Sequence, residues 1–440
     1  MNINRDNYLN QLIRGRNNGL VKIITGIRRS GKSFLVFNLF KSFLLQEGID
    51  KEHIVEIQLD QIRNEALRNP YRLADYIRVR IIDDKQYFIL IDEIQMCGKI
   101  LRDGIELSKI ASEDRDTAFI TFYDVLNEFR SYPNVDLYVT GSNSKSLSSD
   151  IATTFRDRGD PIQIHPLSFG ELSAFRKDKS MSMLREYMTN GGMPLAVLKQ
   201  TEEEKKKYLI ALFANVFIKD IIERHKLRDA LVINKLTDLL CSSIGSLTNP
   251  GKLVRTLNST MNVSSTVNTL QNYLDYLVDS FLFKKAERYD IKGRHYLDFP
   301  SKYYAEDVGL RNARLNFRQI EWSHLMENVI YNELIRRGCT VDVGVVMQET
   351  RQNGVHQQKQ NEIDFVVNSQ KGKIYIQSAF GIDDEKHRQE IMPLKMTNDF
   401  FSRMVVTGSD EPLWTDEDGV SYVGVIPFLL NDSILHGMMK

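Results

Sequence analysis

Residues 26–33 read GIRRSGKS. Two glycines at the ends of a six-residue stretch, followed by lysine and serine, make the G-x-x-x-x-G-K-[ST] pattern of a phosphate-binding loop. The flanks give the pattern its weight. Before it, VKIITG (21–26) is apolar and rich in β-branched residues, as in a buried strand. After it, the segment from Lys32 carries apolar residues at Phe34, Leu35, Leu39, Phe43 and Leu44 and closes on Gly48, as in a helix packed on a sheet. Strand, glycine loop and helix is the context in which backbone N–H groups wrap phosphates and the positive end of the helix adds to the attraction. The expected lining is Gly26, Ile27, Arg28, Arg29, Ser30, Gly31, Lys32, Ser33 and Phe34. Lys32 is expected to reach the β- and γ-phosphates, and the Ser33 hydroxyl to ligate Mg²⁺.

A phosphate loop needs a second element to hold the metal and activate water. YFILIDEIQ (87–95) has an apolar run from Tyr87 to Ile91 with Asp92 and Glu93 at its end. In an open α/β sheet, ligands sit at that C-terminal end of the strands. Asp92 is expected on Mg²⁺, directly or through water, and Glu93 on the attacking water. A third strand, VDLYVTGSNS (135–144), ends in small polar residues, of which Asn143 or Ser142 suits the γ-phosphate or the water. A plain Gly/Ser/Asn turn is the competing reading. In TFRDRGDPIQIHPLSFGEL (154–172), Arg156 and Arg158 stand where an arginine would reach the γ-phosphate of its own or a neighbouring subunit, with a surface salt bridge as the alternative.

Taken in order and spacing, GIRRSGKS, ILIDEIQ, TGSNS and the segment PIQIHPLSFGEL resemble a large family of prokaryotic AAA-type P-loop ATPases with a C-terminal region of unknown function. The resemblance spans the chain, more strongly in its first part. It implies a sheet with an extra strand between the loop strand and the acidic strand, Glu93 as the catalytic acid, ATP rather than GTP, and subunits that share sites, with Arg156 or Arg158 acting in trans. One departure is the charged stretch 98–129, longer than the family's usual link and expected to form an added loop or hairpin.

Composition bounds the rest. Lys plus Arg and Asp plus Glu each number 58, so net charge favours no nucleic-acid partner and only a local patch would. Cys97, Cys241 and Cys339 are far apart, which fits a reducing compartment and gives no zinc or disulfide framework. The polar start MNINRDNYLN and the lack of an apolar run near ~20 residues lead to the expectation of a soluble cytoplasmic protein without membrane contact.

The expected fold is α/β: an AAA-type ATPase domain over 1–170, a helical lid and winged-helix-like region over 171–300, and a restriction-endonuclease-like α/β domain over 301–440. In the middle region, Leu209, Leu212, Phe213, Val216, Phe217 and Ile221 repeat at helical spacing, and EEEKKK (202–207) reads as a solvated helix face. Residues 231–290 read helix, turn, helix, turn, helix, strand, with a serine N-cap before Val267 and a recognition-type helix over 267–278. That helix offers Asn268, Gln271 and Asn272 but no Lys or Arg, and Lys284, Lys285 and Arg288 follow as candidate phosphate contacts.

The last region reads helix, three strands, helix, strand, and resembles the restriction-endonuclease fold. The resemblance places that fold's metal-binding acids at Glu327 and Asp364. Its acidic-x-Lys falls on Gln377–Ser378–Ala379, and an alanine at the lysine position leads to the expectation that nuclease chemistry is lost. Two readings of the whole follow: an ATP- and Mg²⁺-driven switch whose C-terminal half acts on DNA, or an ATP-dependent regulator or assembly factor acting on protein partners.

Overall fold

The computed structural model describes residues 3–438 apart from 107, 109, 112–114, 142–157, 228–229, 261–264, 353–354, 371 and 382–390. The chain divides into two compact units, Met1–His165 and Pro166–Lys440.

The first unit is a parallel sheet with helices on both faces. Its strands are β1 (Val21–Thr25), β2 (Ile54–Gln58), β3 (Tyr87–Asp92), β6 (Val135–Thr140) and β7 (Gly159–Gln163), in the spatial order β2-β3-β6-β1-β7. The expected extra strand is β6, which lies between the loop strand β1 and the acidic strand β3. Strands sandwiched between helices need both faces apolar, and successive residues pack to opposite sides. Ile23, Ile89, Leu137 and Val139 meet Leu73 and Ile77 of helix α3 (Pro70–Arg78) and Val125 and Phe129 of α4 (Phe122–Arg130). Ile24, Phe88, Leu90 and Tyr138 meet Leu12 of α1 (Asp6–Arg14) and Leu35, Phe40 and Leu44 of α2, a continuous helix over 32–46 with a π-helical stretch at Leu35–Phe40. Truncating one such side chain, Phe40 to alanine for instance, typically costs about 3–5 kcal/mol.

The register aligns the strand ends. Ile24 pairs with Thr140, Ile91 with Val139, and Gln58 with Asp92. One edge of the sheet therefore collects Thr25, Asp92 and Thr140. In the expected insertion, β4 (Ile100–Leu101) and β5 (Phe119–Ile120) form a short hairpin.

The second unit opens with helices α5 (Phe169–Arg176), α6 (Met181–Asn190) and α7, a continuous helix over 202–224 that also contains a π-helical stretch. The EEEKKK segment is not uniformly solvated: Lys205 is buried and holds Glu186 and Glu202, each at 2.6 Å. Next come α8 (Ala230–Ser242), β8 (Leu247–Thr248), α9 (Pro250–Thr260), α10 (Val267–Asp279), β9 (Phe283–Asp290) and β10 (His295–Ala305). The N-cap of α10 is Thr266, which accepts from the Thr269 amide, rather than a serine. Helices α11 (Val308–Arg314) and α12 (Trp322–Arg336) then lead into β11 (Thr340–Gln352), β12 (Val355–Ser369), β13 (Gly372–Ala379), β14 (Ser402–Thr407), β15 (Trp414–Thr415) and β16 (Val420–Gly424).

Among the described residues these strands form one sheet in the order β15-β16-β14-β13-β12-β11-β9-β10-β8. Position 300 lies inside β10, so the strands on either side of it share that sheet. The pairing of β11 with β12 continues from Val346↔Asn361 to Gln352↔Val355, beyond the last partners of β9 and before the first of β13. No helix among the described residues is long and apolar enough to cross a membrane.

Candidate nucleotide site

The loop from Gly26 to Ser33 runs from the end of β1 to the start of α2. Its path depends on backbone few residues adopt. Gly26 and Gly31 have φ of 135° and 99°, and Arg29 has φ of 65°. A Cβ on Gly26 would lie 2.1 Å from the Ile164 carbonyl oxygen, so only glycine lets the loop pass β7. From below, buried Arg5 donates to the Ser30 carbonyl at 3.0 Å and to the His165 carbonyl at 2.7 Å. Inside the loop, the Ser30 hydroxyl is buried and makes no hydrogen bond.

Lys32 is 5% exposed, and its ammonium donates to the carbonyls of Gly26 at 2.9 Å and Ile27 at 3.0 Å. Burial pulls its pKa down to about 8, with Glu93 and Asp92 opposing the fall and Arg28 adding to it. The next residue, Ser33, donates from its hydroxyl to Asp92 Oδ1 at 3.0 Å. The same Asp92 oxygen takes a close hydrogen bond from the Thr140 hydroxyl, and that hydroxyl accepts the Glu93 N–H at 3.1 Å. Glu93 stands in left-handed backbone, φ 52°, as the chain turns sharply off β3. The Gln95 side-chain amide donates to its carboxylate.

Lys32, Ser33, Asp92 and Glu93 are thus brought together as the sequence suggests. The arrangement fits a nucleotide with a divalent cation. A desolvated ammonium rests on carbonyls it can exchange for anionic oxygens. A hydroxyl and a carboxylate already in contact present the oxygen donors Mg²⁺ takes, and the orphaned Ser30 hydroxyl lies in the same loop.

Two further residues belong to the cluster. Thr140 is the last residue of β6, and Gln95 lies two positions past Glu93. The polar ends of TGSNS and DEIQ were the available signals, but only the register shows that Thr140 faces Asp92. Asn143 and Arg156, with Ser142, lie outside the described residues. Arg158 is not brought to the loop. Its carbonyl accepts the Val21 amide at the start of β1, the end of the strand away from Gly26, and its exposed guanidinium reaches Asn127 at 3.3 Å. An arginine there cannot approach the γ-phosphate of its own chain.

In the second unit, Glu327 and Asp364 also come together, around a cation the sequence did not point to. Lys302 of β10 is 2% exposed and lies 2.8 Å from Glu327, 2.8 Å from Glu362 and 3.4 Å from Asp364. Tyr304 donates to Glu327 at 2.7 Å, and the Ser378 amide donates to Asp364 at 2.9 Å. Burial, with Asp364 adding, pushes the Glu327 carboxyl up to about 7 against the pull of Lys302. Of the three candidate phosphate contacts after α10, Lys284 is paired with buried Glu306 at 2.8 Å and Lys285 with Glu287 at 3.0 Å, while Arg288 is buried and donates to Gln360 at 2.8 Å.

The family match over the first unit agrees with this geometry. Residues 18–173 match the family described as AAA domain, and residues 181–321 match a domain of unknown function (DUF8612). An uncharacterized protein of Haemophilus influenzae (strain Rd) is 31% identical over 435 residues, covering 97% of this chain and 98% of the relative. The uncharacterized protein MJ1544 of Methanocaldococcus jannaschii is 25% identical over 433 residues, covering 93% of this chain and 87% of that protein. Among solved structures, the Walker-type ATPase PABY2304 of Pyrococcus abyssi aligns with a TM-score of 0.46 at 14% identity, over 71% of this chain and 96% of that one. The chain therefore belongs to one family with the Haemophilus influenzae protein, and within it carries an ATP-binding, AAA-type P-loop ATPase domain.

Proposed function

We propose that the chain hydrolyses ATP with Mg²⁺ at the Gly26–Ser33 loop and uses the cycle to switch a C-terminal half that acts on DNA. The observation that carries the first part is the convergence of Lys32, Ser33, Asp92, Thr140 and Glu93 on one end of the parallel sheet. On nucleotide binding, Lys32 exchanges its two carbonyl partners for β- and γ-phosphate oxygens. The Ser33 hydroxyl and Asp92 would hold Mg²⁺, which would supply charge neutralisation to the phosphates. Glu93 orients the attacking water and takes its proton. Thr140 fixes Asp92 and the Glu93 backbone together, and Gln95 sets the direction of the Glu93 carboxylate.

The DNA part is supported by the order of elements over 230–305. Helix, short strand, two helices and hairpin is the arrangement of a winged helix, with α10 as the groove-facing helix and Asn268 and Asn272 exposed on it. A protein-directed switch is the second reading. It is favoured by one observation: α10 has no Lys or Arg, and the basic residues that follow it are engaged within the fold. Nuclease chemistry is not part of the proposal, because the Lys302 ammonium already neutralises the carboxylates a metal would need.

ATP turnover of the full chain, with and without duplex DNA, separates the readings. The DNA reading expects stimulation that falls steeply between about 50 and 200 mM salt, since phosphate contacts release counterions. Turnover indifferent to DNA at both salts would favour the protein-directed switch.

A further inference from the structure

Ser30 sits in the phosphate loop between two residues at positive φ, Arg29 at 65° and Gly31 at 99°. Backbone that alternates in this way turns successive N–H groups to one side and makes a concavity for anions. Left-handed backbone suits Gly31 but is unfavourable for Arg29, which carries a Cβ, so the loop needs support from outside itself. The Ser30 side chain supplies none. Its hydroxyl is buried without a hydrogen bond, while its N–H reaches the Ile27 carbonyl at 3.3 Å.

The support arrives through the Ser30 carbonyl. Buried Arg5 donates from Nη1 to that oxygen at 3.0 Å and from Nη2 to the His165 carbonyl at 2.7 Å. A guanidinium is a rigid planar fork, so two such bonds fix its orientation as well as its distance. Its other surroundings hold it there. The guanidinium lies 4.6 Å from the centre of the Tyr8 ring, and the Tyr8 hydroxyl accepts the His165 N–H at 3.4 Å. The Ile164 N–H donates to the Thr25 carbonyl at 2.8 Å, which ties this segment to the end of β1, where the loop begins.

The consequence for the loop follows from the peptide bond. A trans peptide is planar, and its C=O and N–H point opposite ways. The Ser30 carbonyl and the Gly31 N–H belong to one peptide. Pinning the oxygen to Arg5 therefore directs the Gly31 N–H away from Arg5. Gly31 is also the N-cap of α2, at the helix end where N–H groups lack partners within the helix.

We propose that Arg5 is a positioning residue of the nucleotide site, which aims the Gly31 N–H at the α- and β-phosphates by holding the Ser30 carbonyl. The inference rests on the nucleotide reading given above and adds to that site a residue outside the loop pattern. N–H groups of such a loop cradle those two phosphates. The contact is the same before and during reaction, so its loss changes KM and not kcat.

The test compares wild type, Arg5→Lys and Arg5→Met as full chains, by titration calorimetry with ATP and ADP and by steady-state turnover. Arg5→Met is expected to weaken ATP and ADP alike by about tenfold or more, the effect of losing a hydrogen bond to a charged group. KM for ATP should rise by a similar factor while kcat stays within about twofold of wild type. Arg5→Lys keeps a donor for the Ser30 carbonyl and should recover part of the loss. A purely structural role gives another pattern: a smaller folded fraction lowers kcat in proportion and leaves KM unchanged, and that result overturns the inference. A wild-type readout covers variants that do not fold. Ser30–Gly31 is the only Ser–Gly step in the sequence, so carbonyl-¹³C serine with ¹⁵N glycine isolates its amide resonance. The Gly31 amide proton is expected to move downfield when ADP is added, and a resonance that bound ADP leaves in place overturns the inference. A wild-type chain that binds neither nucleotide overturns the inference and the nucleotide reading together. Binding and turnover that Arg5→Met retains at wild-type affinity overturn the Arg5 role alone.

Discussion

A lysine 5% exposed, with its proton near loss at pH 8, is a poor resting arrangement and a good receptor for anions. Burial depresses Lys32, and phosphates would raise it again, so its pKa is higher in the bound state than in the free state. Between those two values binding takes up a proton. Affinity for ATP should then be flat below about pH 8 and fall above it, by up to about tenfold per pH unit. Titration calorimetry from pH 7 to 9.5 checks this, and equal affinity across that range would remove Lys32 from the phosphates. Lys32, Ser33, Asp92 and Glu93 were legible in the sequence because each is fixed by a short local pattern with a known geometry. Thr140, Gln95 and Arg5 were not. Thr140 meets Asp92 through the β3–β6 register, and Arg5 reaches Ser30 from twenty-five positions away. Arg158, a residue type suited to phosphate, stands just before β7 and beside the start of β1, away from the loop of its own chain, which leaves the neighbouring-subunit role as the expectation.

At the scale of elements, the reading succeeded where periodicity is strong and blurred where strands join distant parts of one sheet. The first helix and the three strands read in the last region correspond to α12, β11, β12 and β13, whose inner parts carry apolar patterns. The extent of β11 and β12 was not visible, because their outer halves are polar and carry no alternating signal. Nor was the arrival of Lys302 on β10, which depends on pairing between segments far apart in the chain. That lysine makes a prediction of its own. Burial opposes its charge, but Glu327, Asp364 and Glu362 outweigh burial and raise its pKa. Lys302→Met would leave those acids crowded without a counter-charge and should cost ~3–5 kcal/mol. Glu327 works in the other direction. Its folded-state carboxyl keeps a proton up to about pH 7, while the unfolded one loses it near the usual value of 4.5. Its contribution is complete below about pH 4.5 and is lost as pH rises towards 7, so Glu327→Gln should flatten the fall in stability across that window. Urea unfolding at pH 5 and pH 8 measures both effects. A Lys302→Met chain as stable as wild type would show that the acids do not depend on it.

At the scale of the whole molecule, the ATPase unit was readable almost complete, while the second unit yielded its elements more readily than its purpose. A phosphate loop works through backbone geometry that few sequences satisfy. A docking surface works through exposed side chains that many sequences carry. Net charge illustrates the difference: 58 basic and 58 acidic residues exclude nothing, because a local patch forms only when the chain folds. The central claim is nonetheless chemical, that Glu93 drives hydrolysis at a site built by Lys32, Ser33 and Asp92. Its most direct test is to measure ATP binding and phosphate release side by side in wild type and Glu93→Gln with Mg²⁺ present. Similar ATP affinity in both, with release slowed at least about 100-fold in the variant, is the predicted result. Phosphate release by Glu93→Gln at the wild-type rate would contradict the account.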